Sequence, residues 1–273
     1  MANEWETHEG QHWADSADRY TRMLAAFGDV VAQAAEYEAG QRVLDIGCGN
    51  GDITVAAALA VGATGSVTGV DLSPAMLAVA HRRAQAAGVD NVTFLQADAA
   101  TFRPDLANFD RVVSRFGVMF FDDPASALRH IRSLMAPGAR ITFVCWRELF
   151  ANEWMIVPGA AVAEVLPLPS GGDPTAPGPF AFADSDRLTT ILRAAGFGSV
   201  HIEPFSAPVW MGHDAIDAVG FLRTTGLGRA VFDGAAPGLI GEARARAEAA
   251  LTRFETPDGV LLSGAAWLVT ASA

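Results

Sequence analysis

The chain has 273 residues and carries 31 acidic against 19 basic side chains, a net charge of −12, with 51% of its residues apolar. That length suits one α/β domain with insertions and a sizeable core. No apolar run approaches the ~18 residues of a membrane span, and an acidic chain without a basic stripe argues against a nucleic-acid partner.

All 19 basic residues are arginine. This excludes lysine Schiff-base chemistry and the lysine of a Walker-type phosphate loop. The two cysteines, Cys48 and Cys145, cannot build a disulfide framework. The N-terminus is acidic where a signal peptide would be basic and then apolar, so a cytoplasmic protein is expected.

In chain order, residues 1 to 13 read as polar and irregular. From Asp15 to Glu38 apolar residues recur at helical spacing and Gly40 closes the run. Arg42 to Ile46 is a short apolar run ending in glycines, as a buried parallel strand does. Helix and strand then alternate: 53–61 helix, 66–70 strand, a helix opened by Ser73-Pro74 and closed by Gly88, then strands at 92–96 and 109–114. A helix over 125–135 and a strand over 140–146 complete the series. The alternation predicts an α/β, doubly wound, Rossmann-like sheet.

The pattern then breaks. Pro167 to Pro179 holds five prolines and three glycines in thirteen positions, a composition expected of a shaped lid. A helix over 188–195 and a strand over 199–205 follow, then a second interruption containing two helical patterns. Extended segments at 260–262 and 266–270 complete the chain. One domain over 1–273 is expected, with a cofactor-binding core at 40–150 and substrate-cap insertions at 151–183 and 207–258.

The turn Val43-Leu-Asp-Ile-Gly-Cys-Gly-Asn-Gly51 joins the first strand to the first helix of this series. Glycines there let the backbone approach a ligand, and the helix N-terminus offers unpaired N–H groups. A dinucleotide site needs glycine at position 52, where this chain has Asp52. Asp45 beside the loop would repel a pyrophosphate and favour a cation. Asp71 and Asp98 each follow a strand, at the sheet edge where open α/β folds bind ligands. Three acids in this order suit a ligand with positive charge, ribose hydroxyls and an amino-bearing base, which describes S-adenosylmethionine.

On these residues the chain resembles the class I S-adenosylmethionine-dependent methyltransferases, strongly over 40–146. Within them it is most similar to the branch of quinone-biosynthesis and small-molecule methyltransferases. The resemblance implies a seven-stranded sheet with the last strand antiparallel. It also implies that Asp45, Gly47, Cys48, Gly49 and Gly51 face the methionine moiety. Asp71 would hold the ribose, with Leu72 and Met76 beside the adenine. Asp98 and the Ala99 backbone would reach the adenine, and Ser114 and Arg115 the methionine end. Phe116, Met119 and Trp146 are expected to line an apolar acceptor pocket. The expected partner is a small molecule methylated on oxygen, nitrogen or carbon. Oligomeric state, monomer or homodimer, is left open.

Two other readings stay open at this point. One is a fold relative that binds the same cofactor without transferring methyl, such as a cyclase or a decarboxylating enzyme. The other is a nicotinamide-dependent oxidoreductase, disfavoured by Asp52. The string His8-Glu9-Gly10-Gln11-His12 spells a zinc-protease motif, but a glycine in a polar chain start makes a poor metal helix, and no metal is expected. His12 remains a candidate base, since the N-terminal segment could fold over the cofactor and bring His12 or Trp13 to the site. His213 is the other candidate.

Overall fold

A computed structural model of the chain describes residues 2–104, 107–169 and 172–273. It opens with four helices, α1 (Ala2–Trp5), α2 (His8–Asp15), α3 (Ala17–Met23) and α4 (Ala25–Ala35). The segment expected to be irregular is therefore largely helical. Its order is tertiary in origin, because Gly10 gives α2 little helix propensity and its partners lie far along the chain. The alternating units follow as β1 (Arg42–Ile46), α5 (Asp52–Val61), β2 (Ser66–Asp71), α6 (Pro74–Ala87), β3 (Val92–Gln96), β4 (Phe109–Arg115), α7 (Pro124–Ser133) and β5 (Met135–Trp146).

The remainder comprises α8 (Glu153–Ala163), α9 (Ser185–Ala194), β6 (Gly198–Gly212), α10 (Ala215–Leu222), α11 (Gly226–Phe232), α12 (Pro237–Thr252), β7 (Glu255–Thr256) and β8 (Gly259–Ser272). Part of the proline- and glycine-rich stretch, Ser170 and Gly171, lies outside the described residues.

The strands form one sheet in the order β3-β2-β1-β4-β5-β8-β6, with the two-residue β7 folding back on β8. The first four pairings are parallel, and β8 runs antiparallel to both neighbours. This is the seven-stranded sheet with an antiparallel last strand that the resemblance implies, plus one short hairpin. Its centre is Val43, Leu44, Val112, Val113, Ile141, Phe143, Val144 and Val269, all but excluded from solvent. Burial on both faces explains why these strands read as continuous apolar runs.

Local signals terminate the helices as the residues dictate. The Ser73 hydroxyl accepts the Met76 N–H at 3.2 Å, Pro74 opens α6, and Gly88 closes it in a left-handed conformation. One boundary differs from expectation. The strand expected to end at 205 runs on to Gly212, because β6 continues through Val209, Trp210 and Met211, which are buried and paired beside Val260–Leu262 of β8. Pro204 and Pro208 disguise that continuation. They are tolerated because β6 pairs only with β8 and forms the sheet edge. The two interruptions meet one another, α8 packing on α12 and α10 on α12.

Candidate cofactor site

β1 ends at Ile46 and the chain enters a turn in which Gly47, Gly49 and Gly51 all have left-handed φ, +62°, +53° and +83°. Space as well as φ restricts the turn. A Cβ on Gly47 would lie 2.9 Å from the Gly117 Cα, and one on Gly49 would lie 2.7 Å from the Met76 methyl. A side chain at either position would fill the turn.

Asp71 fixes the turn from the next strand. Its Oδ2 accepts the Gly49 N–H and its Oδ1 the Ser73 N–H, each at 2.8 Å, so one carboxylate ties the loop to the start of α6. Burial pushes its pKa up against the pull of these backbone donors.

The turn floors a cavity of about 60 Å³ lined by Trp13, Leu24, Asp45, Gly47, Cys48, Gly49, Asn50, Ile53, Met76, Arg115 and Phe116. Asp45 is 1% exposed. Burial pushes its pKa up to about 7, against the hydrogen bond that the Thr54 hydroxyl donates to its Oδ2 at 2.6 Å and the nearby positive charge of Arg115. Arg115 brings a cation to the same cavity and is ion-paired to Asp52 at 3.2 Å.

Asp52, the residue standing where a dinucleotide loop needs glycine, also pairs with Arg83 and accepts the Thr21 hydroxyl at 2.7 Å. Asn50 donates to the Ala17 carbonyl at 3.3 Å and to the Thr21 hydroxyl oxygen at 3.1 Å. The loop and α3 are thereby joined by a polar network with arginines from α6 and β4 in it. Nothing in the spacing of these residues announces that network.

Phe116 carries the strained backbone of the site, at φ +66°. Its ring stacks on Trp146 at 4.0 Å, and Phe27 packs edge-on to Trp146 at 4.9 Å.

The N-terminal helices close over this cavity. Gly10 of α2 sits so tightly against Ser73 that a Cβ would collide with its side chain and with the Trp5 carbonyl. Trp13 lines the cavity and stacks face to face on Tyr20 at 3.6 Å. Glu9 pairs with Arg229 of α11, and Arg19 with Asp217 of α10 at 2.8 Å. The same segment therefore touches the start of α6 and the helices of the second interruption.

Several expected residues are placed differently. Ser114 is fully buried and spends its hydroxyl on the Ile46 carbonyl at 2.8 Å, so it pins β4 to β1 and does not face the cavity. Met119 is 1% exposed, and its sulfur accepts the Trp146 N–H at 3.3 Å, which makes it core. Trp146 is buried behind Phe116 and absent from the cavity lining.

Leu72, Asp98 and Ala99, expected at the adenine and not at the methionine end, follow β2 and β3 outside this cavity. Asp98 is exposed and holds a turn through the Ala100 N–H at 2.8 Å. Gly51 packs against Ala80 of α6. His213 is exposed, its ring edge-on to Trp210, away from the cavity. His12 is half-buried with Nε2 3.1 Å from the Tyr20 hydroxyl, and burial lowers its pKa. Trp13, its neighbour, is the one that reaches the cavity. His8 is exposed, and no group of three metal-ligating side chains occurs among the described residues. No helix there is long and apolar enough to cross a membrane.

A parallel sheet closed by one antiparallel strand, with a glycine turn flanked by acids after β1 and β2, defines a class I S-adenosylmethionine-dependent methyltransferase. Residues 37–196 match the family model described as a methyltransferase domain, and the chain belongs to that family. It is 34% identical over 137 residues to an aklanonic acid methyltransferase of Streptomyces sp. (strain C5), covering 49% of this chain and 62% of that protein. It is 29% identical over 219 residues to a demethylmenaquinone methyltransferase of Anoxybacillus flavithermus (strain DSM 21510 / WK1), covering 72% and 91%.

Among solved structures, the YcgJ protein of Bacillus subtilis superposes with a TM-score of 0.59 at 18% identity, covering 91% of this chain and 98% of that one. The [4+2]-cyclase SpnF superposes at 0.55 with 21% identity, covering 96% and 94%. At such identity a shared fold carries no activity with it, so the cyclase reading gains nothing over methyl transfer.

Proposed function

We propose that this chain transfers a methyl group from S-adenosylmethionine to a small, hydrophobic or aromatic acceptor. The observation that carries the reading is the pairing of opposite charges in one cavity. Asp45 and Arg115 both line the space above the glycine turn, and Phe116 stands at its wall. A buried carboxylate suits the ammonium of a methionine moiety and a guanidinium its carboxylate. The glycine positions, where a Cβ would fill the turn, suit close passage of the chain along that moiety. Asp71 stands at the end of β2, held by two backbone N–H groups with lone pairs to spare for ribose hydroxyls.

Bound there, the cofactor supplies an activated methyl group on a sulfonium. What remains for the chain is to align an acceptor with that group and to exclude water. Phe116, backed by Trp146 and Phe27, gives an aromatic wall against which a flat acceptor can rest. The names of the two relatives, an aklanonic acid methyltransferase and a demethylmenaquinone methyltransferase, support an acceptor of this kind.

The cavity is well below the ~300 Å³ at which small-molecule sites begin. We infer that cofactor and product exchange by movement of α2, which contacts Ser73 and Arg229 beside the cavity that Trp13 lines. We read the two interruptions, which touch one another through α8 and α12, as one cap over the acceptor side.

The deciding experiment is a screen of small hydrophobic acceptors with cofactor labelled on the methyl group, alongside a thermal titration with S-adenosylhomocysteine. A ligand bound only by the native state raises the melting temperature. A rise in melting temperature and a labelled product are expected. No rise at millimolar ligand, or intact binding with no methylated product from any acceptor, would overturn the proposal.

A further inference from the structure

Thr54 is the third residue of α5, directly above the end of β1, and it is 0% exposed. A threonine on a helix commonly turns its hydroxyl back to a carbonyl three or four residues earlier. Here the hydroxyl leaves its own helix and donates to Asp45 Oδ2 at 2.6 Å, the short distance of a hydrogen bond to a carboxylate. Both partners are sealed from water on the protein side, and Asp45 opens only to the cavity.

We propose that Thr54 is the positioning residue for Asp45, holding its carboxylate ionised and turned so that it can receive a cationic group in the cavity. The inference rests on the reading of Asp45 as the acid that meets the cofactor's ammonium. It extends that reading to a residue that touches no ligand.

Asp45 has several charged or titratable neighbours. Arg115 on β4 favours its ionisation, whereas Asp71 on β2 and Asp52 on α5 oppose it. Cys48 in the loop and Tyr37 beyond α4 feel its charge in turn; Cys48 is buried and Tyr37 partly buried, and both have raised pKa values. Against two acids and one arginine, the Thr54 hydroxyl is the one neutral donor aimed at the carboxylate. A hydrogen bond favours whichever protonation state it binds better, here the charged one. Without it Asp45 ionises at higher pH, and a cation meets a protonated acid over more of the neutral range.

The test is calorimetric titration of the whole chain with S-adenosylhomocysteine from pH 6 to 9, repeated at pH 7 in two buffers of different ionisation enthalpy. Thr54→Val removes the hydroxyl at similar size. Its affinity should fall about tenfold or more at pH 7, and the deficit should close to within about twofold by pH 9, where the carboxylate is ionised in both proteins. Proton release on binding at pH 7 should rise in the variant. The ligand's own amino group titrates identically in both, so the difference reports the protein. Thr54→Ser should restore the wild-type profile. Should the valine variant fail to fold, Thr54→Ala gives the same comparison without a methyl against the carboxylate.

A deficit of constant size from pH 6 to 9, or none, would overturn the proposal. Asp45→Asn separates the two levels. Wild-type affinity in Asp45→Asn would sink the reading of the site itself, whereas a pH-independent deficit in Thr54→Val alone would sink only the role of Thr54.

Discussion

The stretch from β1 to β4 and the part of the chain that covers it are held together in opposite ways. In the first, the turn itself is shaped by its neighbours in the sheet. A strand ends, a glycine turn follows, and an acid from the neighbouring strand fastens the turn through backbone N–H groups. In the cover, α2 is fastened by single long-range contacts, Gly10 on Ser73 and Glu9 on Arg229, whereas α3 joins both the loop, through Thr21 and Ala17, and α10, through Arg19 and Asp217. The first arrangement is tied through the backbone. The second is assembled from separable contacts, the kind that a part proposed to open requires.

This contrast can be tested from its strongest side downward. Asp71→Ala removes the tie between the turn and α6 along with the proposed ribose acceptor. Hydrogen bonds to a charged group are worth about 1.5–3 kcal/mol each. Affinity for S-adenosylhomocysteine should therefore drop by roughly ten- to a thousandfold in a binding isotherm, with Asp71→Asn milder. Near-wild-type affinity in the alanine variant would break the contrast.

The second expectation concerns pH. Burial raises the Asp45 pKa from 3.8 to about 7, so its contribution to folding is present below the lower value and is lost as pH rises through the upper one. Asp45→Asn escapes that loss. In the absence of ligand the variant should melt several degrees above wild type at pH 8, a gain on the order of a few kcal/mol at most, fading toward pH 5. Equal melting at both pH values would show that Asp45 is not held at a cost.

Third, Gly10→Val should prevent α2 from seating on Ser73. Dissociation of S-adenosylhomocysteine should speed up by about tenfold in stopped flow, in keeping with a contact worth one to two kcal/mol. Unchanged dissociation would mean that α2 does not gate the site. The smallest effect belongs to the Glu9–Arg229 pair, whose side chains are partly exposed. Arg229→Ala should change acceptor kinetics by no more than about threefold and leave cofactor affinity alone, since such pairs contribute ~1 kcal/mol or less.

The same division decides which features are legible in the amino-acid sequence. The glycine turn and the Ser73-Pro74 cap can be read there because each acts through the backbone next to it, and Asp45 and Asp71 because each stands at a strand end beside that turn. Ser114 misleads because a polar residue at a strand end reads as a ligand contact. Only the parallel register with β1 shows its hydroxyl meeting Ile46. Met119 misleads in a similar way, as its sulfur is used by a backbone N–H twenty-seven residues on. The helices at 2–15 are hidden because their partners, Ser73, Phe120 and Arg229, lie far along the chain. The Asp52–Arg83–Arg115 network is hidden for the same reason, its members coming from α5, α6 and β4.

The place of β8 in the sheet has a consequence for how the molecule acquires its shape. β8 lies between β5 and β6 and, among the described residues, supplies β6 with its only strand partner over the length of that strand. β6 can therefore pair only when residues 259–272 arrive, with α10, α11 and α12 looped out between the two strands. On the other side β8 meets β5, more than a hundred residues earlier in the chain. Pairings of such separation close late and slowly. In refolding experiments, hydrogen-exchange protection should appear first in β1, β2 and β4 and last in β6. Until then the apolar flank of β5 is an open edge through which one chain could recruit another.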